Sequence, residues 1–293
     1  MPVKLTIGLP FYNNEKTLKK AIHSILLQTY DLWELILIDD GSTDHSLSIA
    51  KSIAEHDSRI TLISDGKNRG LVNRLNQIID LARGEYIARM DSDDIMMPDR
   101  LEKQMLLLTS DPEIDVTDSC IYIIDDEDNP YGKRCKKLNG SSSKKTALKG
   151  SILYHPTVIA KASWYKNNKY AEGFLRSEDY ELWCRAFQHT KFIRIDEPLL
   201  LYREGMIDIG NYNQSMRSAR KILKAYGPGT ISTFEMAVEI SKTYFKYAAY
   251  NFMGMFGKQN LLSATRNSSI TEDQKRMIRA VIHRITDFKQ ITS

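Results

Sequence analysis

Tyr86-Ile87-Ala88-Arg89-Met90-Asp91-Ser92-Asp93-Asp94 is a largely apolar run that opens into three carboxylates within four positions. Its length and composition predict a buried strand ending at a sheet edge, where the acids meet solvent or a ligand. Carboxylates this close repel one another unless a cation or a network of donors sits among them. Oxygen donors at this density suit a hard divalent ion such as Mg²⁺ or Mn²⁺. A solvated acidic turn would carry the same letters, so the flanking chain has to decide between the two readings.

Upstream, strand and helix patterns alternate. Val3 to Leu9 is strand-like and is broken by Pro10-Phe11-Tyr12-Asn13-Asn14-Glu15; Thr17 to Leu27 then has helical spacing at Leu18, Ala21, Ile22, Ile25 and Leu26. Trp33 to Ile38 predicts a second strand ending in Asp39-Asp40-Gly41-Ser42-Thr43-Asp44, with a helix over Ser46 to Ala54. Ile60 to Ile63 predicts a third strand, Lys67-Asn68-Arg69-Gly70 a loop, Leu71 to Ala82 a helix, and Glu85 to Met90 the fourth strand. Such alternation implies an α/β fold with a mostly parallel sheet covered on both faces. Ligands of parallel sheets bind beyond the carboxyl ends of the strands, so the loops after strands one, two and four are expected to line one crevice. Neither Gly-x-Gly-x-x-Gly nor Gly-x-x-x-x-Gly-Lys follows the first strand. A phosphate-bearing ligand is then expected to be held through a bridging metal, leaving the first two loops for a nucleobase.

The 293 residues, 42% hydrophobic and 27% charged, fit one or two globular domains. Cys120, Cys135 and Cys184 are widely spaced and odd in number, which suggests neither a disulfide framework nor a zinc knuckle; a reducing, cytoplasmic setting is expected. No basic-then-apolar leader opens the chain, and no apolar stretch approaches the ~20 residues of a spanning helix. Charge is uneven: from Met216 onward there are thirteen Lys/Arg against five Asp/Glu, and before it 28 against 32. The boundary is therefore drawn at residue 215, and the basic tail admits nucleic acid, an anionic membrane surface or a solvated helical face.

Taken in order, Leu9-Pro10-Phe11-Tyr12-Asn13, Ile38-Asp39-Asp40-Gly41-Ser42-Thr43-Asp44, Gly84 through Asp94 and Pro98-Asp99-Arg100-Leu101 resemble the family-2 nucleotide-sugar glycosyltransferases over roughly the first 205 residues. The resemblance implies a GT-A fold, with a Rossmann-like nucleotide-sugar half (1–100) fused to an acceptor half (101–215), followed by a basic helical extension (216–293). It also implies that Pro10, Tyr12 and Asp40 contact the nucleoside. Tyr12 would stack on the base, a contact of ~1–3 kcal/mol, where the plainer reading is a packing aromatic at a strand end. Asp91 and Asp93 match the Asp-x-Asp pair that holds ribose and metal, while Asp94 is expected to cap the following turn.

Further on, Cys120 to Ile124 predicts a strand, and Asp125-Asp126-Glu127-Asp128-Asn129-Pro130 a solvated turn without chemistry. Lys133 to Lys149 carries seven Lys/Arg and no acid around Asn139-Gly140-Ser141-Ser142-Ser143, the pattern of a mobile loop. Its charge would attract an anionic acceptor or lipid headgroups, or only keep it soluble. Ile152 to Val158 reads as a strand, and its His155 is expected behind the reacting groups or on the acceptor side. Glu178-Asp179 opens a helix with an apolar stripe through Tyr180, Trp183, Ala186 and Phe187; two acids there are also ordinary dipole partners. The resemblance makes Asp179 the catalytic base, with Glu178 beside it. Leu199-Leu200-Leu201-Tyr202-Arg203 closes the match, but Glu204 to Asn213 lacks the histidine that in relatives completes the metal site. Arg203 is expected to meet the diphosphate instead.

In the tail, Phe234 to Met255 has helical spacing with aromatics beside Lys242 and Lys246, suited to a membrane interface, a core or a dimer contact. Asp273 to Ile285 predicts a basic amphipathic helix. The resulting expectation is an inverting, Mn²⁺- or Mg²⁺-dependent transferase moving sugar from a nucleoside-diphosphate sugar to a glycan or lipid-linked acceptor in bacterial surface polysaccharide synthesis. It would be cytoplasmic, peripheral on an anionic inner membrane face, with no nucleic-acid partner. The alternatives are a sugar nucleotidyltransferase, which should carry a glycine-rich first loop, and a non-catalytic carbohydrate-binding or scaffold protein.

Overall fold

A computed structural model describes residues 4–136, 138 and 143–289. The first ninety residues form β1 (Leu5–Phe11), α1 (Leu18–Leu26), β2 (Trp33–Asp39), α2 (Ser46–Ala54), β3 (Ile60–Ser64), α3 (Leu71–Leu81) and β4 (Tyr86–Arg89). β1 and β2 are buried along their whole length, as expected of central strands with helices on both faces. Leu5, Ile7 and Leu9 face the core under α1 and α2, while Ile36 and Ile38 face α3. At Gly8 the backbone approaches α3 so closely that a Cβ would sit 2.5 Å from Ile78 Cγ2.

The second half contributes β5 (Ile95–Met96), α4 (Arg100–Ser110), β6 (Val116–Ile124), β7 (Pro130–Arg134), α5 (Lys144–Ala147), β8 (Ile159–Lys161), α6 (Ala162–Asn167), α7 (Glu178–Ala186) and β9 (Phe192–Arg203). All join one sheet in the order β3-β2-β1-β4-β8-β6-β9-β5, with β7 beside β6. β1 to β4 pair in parallel, and β8 joins β4 antiparallel. The acidic stretch after β4 therefore bridges the middle of the sheet to β5, which pairs with β9 at the far edge.

Three expectations change. Ile152 to Val158 is not a strand: His155–Thr157 forms a 3₁₀ turn, and the strand begins only at Ile159. Pro156 has no N–H for a ladder and its fixed φ suits the turn. Cys120 and Cys135 are joined in a disulfide. The reason is tertiary: β6 pairs antiparallel with β7 with Ile121 opposite Arg134, which brings the next residue out on each strand face to face. Strand β6 also starts earlier than its apolar letters suggest, carrying Asp118 fully buried in its interior. The centre of the basic segment expected to be a mobile loop, residues 139–142, lies outside the described residues.

Four helices follow: α8 (Ile209–Tyr226), α9 (Thr233–Gly254), α10 (Asn260–Ala264) and α11 (Glu272–Thr286). The composition change at residue 215 falls inside α8, so charge and backbone divide at different places. α11 returns to the sheet: its Ile278, Ile282 and Ile285 bury against Ile95, Met97, Tyr122, Ile124 and Leu201. Full burial of such a side chain stabilises by about 1.5–3 kcal/mol. No described helix is long and apolar enough to cross a membrane.

Candidate active site

The loops after β1, β2 and β4 meet through polar side chains. Asn13, at φ 52°, accepts the Thr43 N–H at 2.8 Å while its own N–H donates to Ser42 Oγ at 3.1 Å. Asn14 receives the Ser92 hydroxyl at 2.8 Å and donates its N–H to Ser46 Oγ at 2.7 Å. Ser42, Ser46 and Ser92 thus bind three loops into one wall.

That wall faces a cleft of about 600 Å³ lined by Pro10, Tyr12, Asp40, Arg89, Asp91, Asp93 and Glu178 among others. Tyr12 is 46% exposed, so it stands free on the cleft rather than packing at the strand end. Asp40 accepts the Arg69 N–H at 2.7 Å, the Gly70 N–H at 3.0 Å and Arg74 Nε at 2.8 Å. A carboxylate offers about four acceptor positions, which leaves Asp40 room for a ligand donor. Gly41, at φ 79°, lets the Lys67–Asn68 backbone come this near: a Cβ there would lie 2.8 Å from the Lys67 carbonyl carbon.

The acidic turn is held by three arginines. Arg89 Nη2 pairs with Asp91 at 2.7 Å. The Arg203 N–H donates to Asp94 Oδ1 and its Nε to the Asp93 carbonyl, both at 2.9 Å. Arg100, fully buried, donates to the Arg89 carbonyl at 3.0 Å. Arg203 also donates to the Asp125 carbonyl and to Asp128. Its guanidinium is engaged behind the turn by the Asp93 and Asp125 carbonyls and Asp128, and Arg203 does not line the cleft. Asp94 likewise serves no cap of its own turn; it ties the turn to β9. Asp125 to Asp128, read as a mere solvated turn, supplies the other end of that tie.

Burial, then the neighbouring Asp91 charge, pushes the Asp93 carboxyl up to about 6. Burial and both neighbours raise Asp94 well above the carboxylate range. Oxygens of Asp91, Asp93 and Asp94 lie within 4.8 Å of one another, and the buried Asp94 Oδ2 has no hydrogen-bond partner. Three converging hard oxygens, with Asp94 Oδ2 unpartnered, fit a divalent cation.

Glu178 and Asp179 diverge at the start of α7. Glu178 is buried and lines the cleft, whereas Asp179 is partly buried on the other side, where its Oδ2 accepts the Ser151 hydroxyl at 3.0 Å. Burial raises both carboxyls, and in Glu178 the adjacent Asp179 charge adds to it. His155 is buried beneath, 2.7 Å from Tyr170 Oη and edge-on to Trp183. Burial and then the Arg89 charge hold its pKa well below the usual range.

Two cleft arginines carry more than their letters announce. Arg89 is buried in the last position of β4 and feels Asp91, Glu178 and Asp179 together; burial opposes its charge, but these acids raise its pKa overall. Arg74 is fully buried, donating to Asp40, to Asp65 at 2.7 Å and to the Lys67 carbonyl at 2.6 Å. A signal existed: Arg74 interrupts the apolar face formed by Leu75, Ile78 and Ile79 of α3.

The family model Glycosyl transferase family 2 matches residues 6–171. EpsE of Bacillus subtilis (strain 168), named a glycosyltransferase, is 38% identical over 207 residues, 69% of this chain and 73% of EpsE. S. aureus TarS 1–349, solved with UDP, superposes with a TM-score of 0.61 over 97% of this chain and 81% of that one at 15% identity. The mannosyltransferase PcManGT of Pyrobaculum calidifontis, solved with GDP-Man and Mn²⁺, does so with a TM-score of 0.60 over 99% and 82% at 16% identity. The fold is the GT-A fold, with helices following the sheet.

Replacing Arg74 by Met should leave the buried Asp40 without its counter-charge and release the exposed Asp65. Breaking a buried pair from one side costs roughly 3–5 kcal/mol. Urea unfolding should register a loss of about that size, together with weaker nucleoside-diphosphate binding by calorimetry; unchanged values in both would refute the bracing role.

Proposed function

The chain belongs to glycosyl transferase family 2, and from that premise we propose an inverting, metal-dependent transferase that moves a sugar from a nucleoside-diphosphate sugar to a glycan or lipid-linked acceptor in bacterial surface polysaccharide synthesis. The observation that carries this reading is one cleft lined by Asp91 and Asp93 of the carboxylate turn, by Arg89 and by Glu178, with Asp179 next to Glu178 at the start of α7 and within the field of Arg89. Residues 1–100 form the donor half and 101–215 the acceptor half, with the basic helices beyond as an extension.

On this reading Tyr12 stacks on the nucleobase beside Pro10, and Asp40 accepts a hydrogen bond from it. Asp91, Asp93 and Asp94 would hold Mn²⁺ or Mg²⁺, which when bound supplies charge neutralisation at the leaving diphosphate; PcManGT holding Mn²⁺ supports this. Asp179 takes the proton of the acceptor hydroxyl as that oxygen bonds to the anomeric carbon. The bond from that carbon to the diphosphate oxygen breaks with its electron pair going to the diphosphate, and the configuration inverts. Glu178, turned about 100° away on the same helix, faces the donor side. His155 stiffens the floor through Tyr170, and Arg203 holds the metal turn from behind.

Asp179→Asn should lower turnover roughly 10²–10⁴-fold with donor affinity and melting temperature nearly unchanged, and Glu178→Gln should lose less. Since burial raises the Asp179 pKa and the base must be ionised, wild-type turnover should fall as pH drops through that raised value. Reversed losses in the two variants would move the base to Glu178. Chelation by EDTA should abolish turnover and Mn²⁺ or Mg²⁺ restore it, whereas full activity in a chelated assay would remove the metal from the mechanism.

The tail supports a place for the enzyme on an anionic membrane surface. Phe234, Val238, Phe245, Phe252, Met255 and Phe256 leave an exposed stripe along and just beyond α9, with Lys242 and Lys246 beside it and an excess of positive charge after residue 215. Purified protein should sediment with anionic vesicles and release at high salt, because attraction at a surface is screened within ~10 Å at 0.1 M. Equal recovery on neutral vesicles would favour a contact between copies of the chain.

A further inference from the structure

Ser151 Oγ lies 3.0 Å from Asp179 Oδ2 and also 3.0 Å from the Leu153 carbonyl. A hydroxyl has one proton to give, so the two acceptors compete for it. The segment around Ser151 is pinned on both sides. Before it, Leu148 O accepts the Tyr180 hydroxyl at 2.7 Å and Ala147 O faces Cys184 Sγ at 3.4 Å, both from the helix that carries Asp179. After it, Ile152 O accepts Arg194 Nη2 at 2.8 Å, and the Tyr154 N–H reaches Asp118 Oδ2 at 2.9 Å. Arg194 is itself locked: it pairs with the buried Asp118, donates to the Lys136 carbonyl, and lies 4.5 Å over the Tyr154 ring. Ser151 thus stands exposed at the surface on a stretch that cannot drift from α7.

We propose that Ser151 is a positioning residue for the base, donating its proton to Asp179 while that carboxylate is ionised and turning it to the Leu153 carbonyl once Asp179 has taken the acceptor's proton. No proton is gained or lost by the serine; only its hydrogen bond changes partner. Holding Oδ2 in this way, with the Tyr180 N–H as a further donor to the same carboxylate, fixes the orientation in which it meets the acceptor hydroxyl. It also favours the ionised base against burial. Arg89 of β4 acts in the same sense as Ser151, while Tyr170 and Cys184 are the other titratable neighbours, both neutral at physiological pH. The inference rests on Asp179 being the base.

Its test is the pH profile of UDP-GlcNAc or GDP-mannose hydrolysis in Mn²⁺, whichever the enzyme turns over, with water standing in as acceptor. Ser151→Ala should lower kcat about tenfold, as loss of a hydrogen bond to a charged group implies. It should also move the acid limb to higher pH, with donor KM and melting temperature unchanged. Ser151→Thr should restore most of the rate and the wild-type limb. An Ala variant with wild-type kcat and acid limb, or Ala and Thr variants equally impaired, would overturn the inference while leaving the transferase reading intact, provided Asp179→Asn is inactive. An active Asp179→Asn would instead sink the base assignment and this inference with it.

Discussion

Three carboxylates on one turn cannot share the mouth of a sheet without cations, and the arrangement of this protein depends on how it supplies them. Arg89, Arg100 and Arg203 converge on the turn from β4, α4 and β9, so the middle of the sheet, a covering helix and a distant strand are all tied to it. Much of the compensation goes to backbone carbonyls rather than to carboxylates. Asp93 and Asp94 are left near one another, raised in pKa and short of partners, which is an arrangement that a bound divalent cation relieves.

The same economy separates the two halves of the cleft. On one side, Asp40 and Arg74 fix the Lys67–Gly70 loop through backbone N–H and carbonyl groups, without a glycine-rich phosphate loop. On the other, Arg194 gathers Lys136, Ile152 and Tyr154 around the buried Asp118 and brings Ser151 to α7. Arg89 joins the two sides, since it pairs with Asp91 and feels Glu178 and Asp179. The chemistry proposed for the cleft needs charge balanced at both ends of one sugar, and a single buried cation couples the two.

The alternation of strands and helices from Leu5 to Arg89 was legible to within a residue or two at most boundaries, because period-2 and period-3.6 patterns are local properties of the chain. The loops that carry the acidic turn, Tyr12 and Asp40 were legible as the ends of apolar strands, and Glu178-Asp179 as the start of a helix, while the roles given to these residues came from the family resemblance. Where local pattern and chain chemistry conflicted, the reading failed. Ile152 to Val158 looked like a strand until Pro156 is given its due, and Asp118 looked like a flank of β6 because an acid inside a strand makes sense only once Arg194, distant in sequence, is beside it.

What the sequence determined by itself is therefore the element order, the crevice beyond the parallel strands and the residue types that line it, all of which follow from side-chain periodicity and from where a chain can tolerate charge. Tertiary structure decided the partners. Arg203 lies behind the acidic turn, Arg74 is buried beneath the Lys67–Gly70 loop, Cys120 met Cys135 across a hairpin, and Ser151 arrived at Asp179. These pairings join residues far apart in the chain at distances of a few ångströms. They are fixed by strand register and helix docking, which no local pattern encodes.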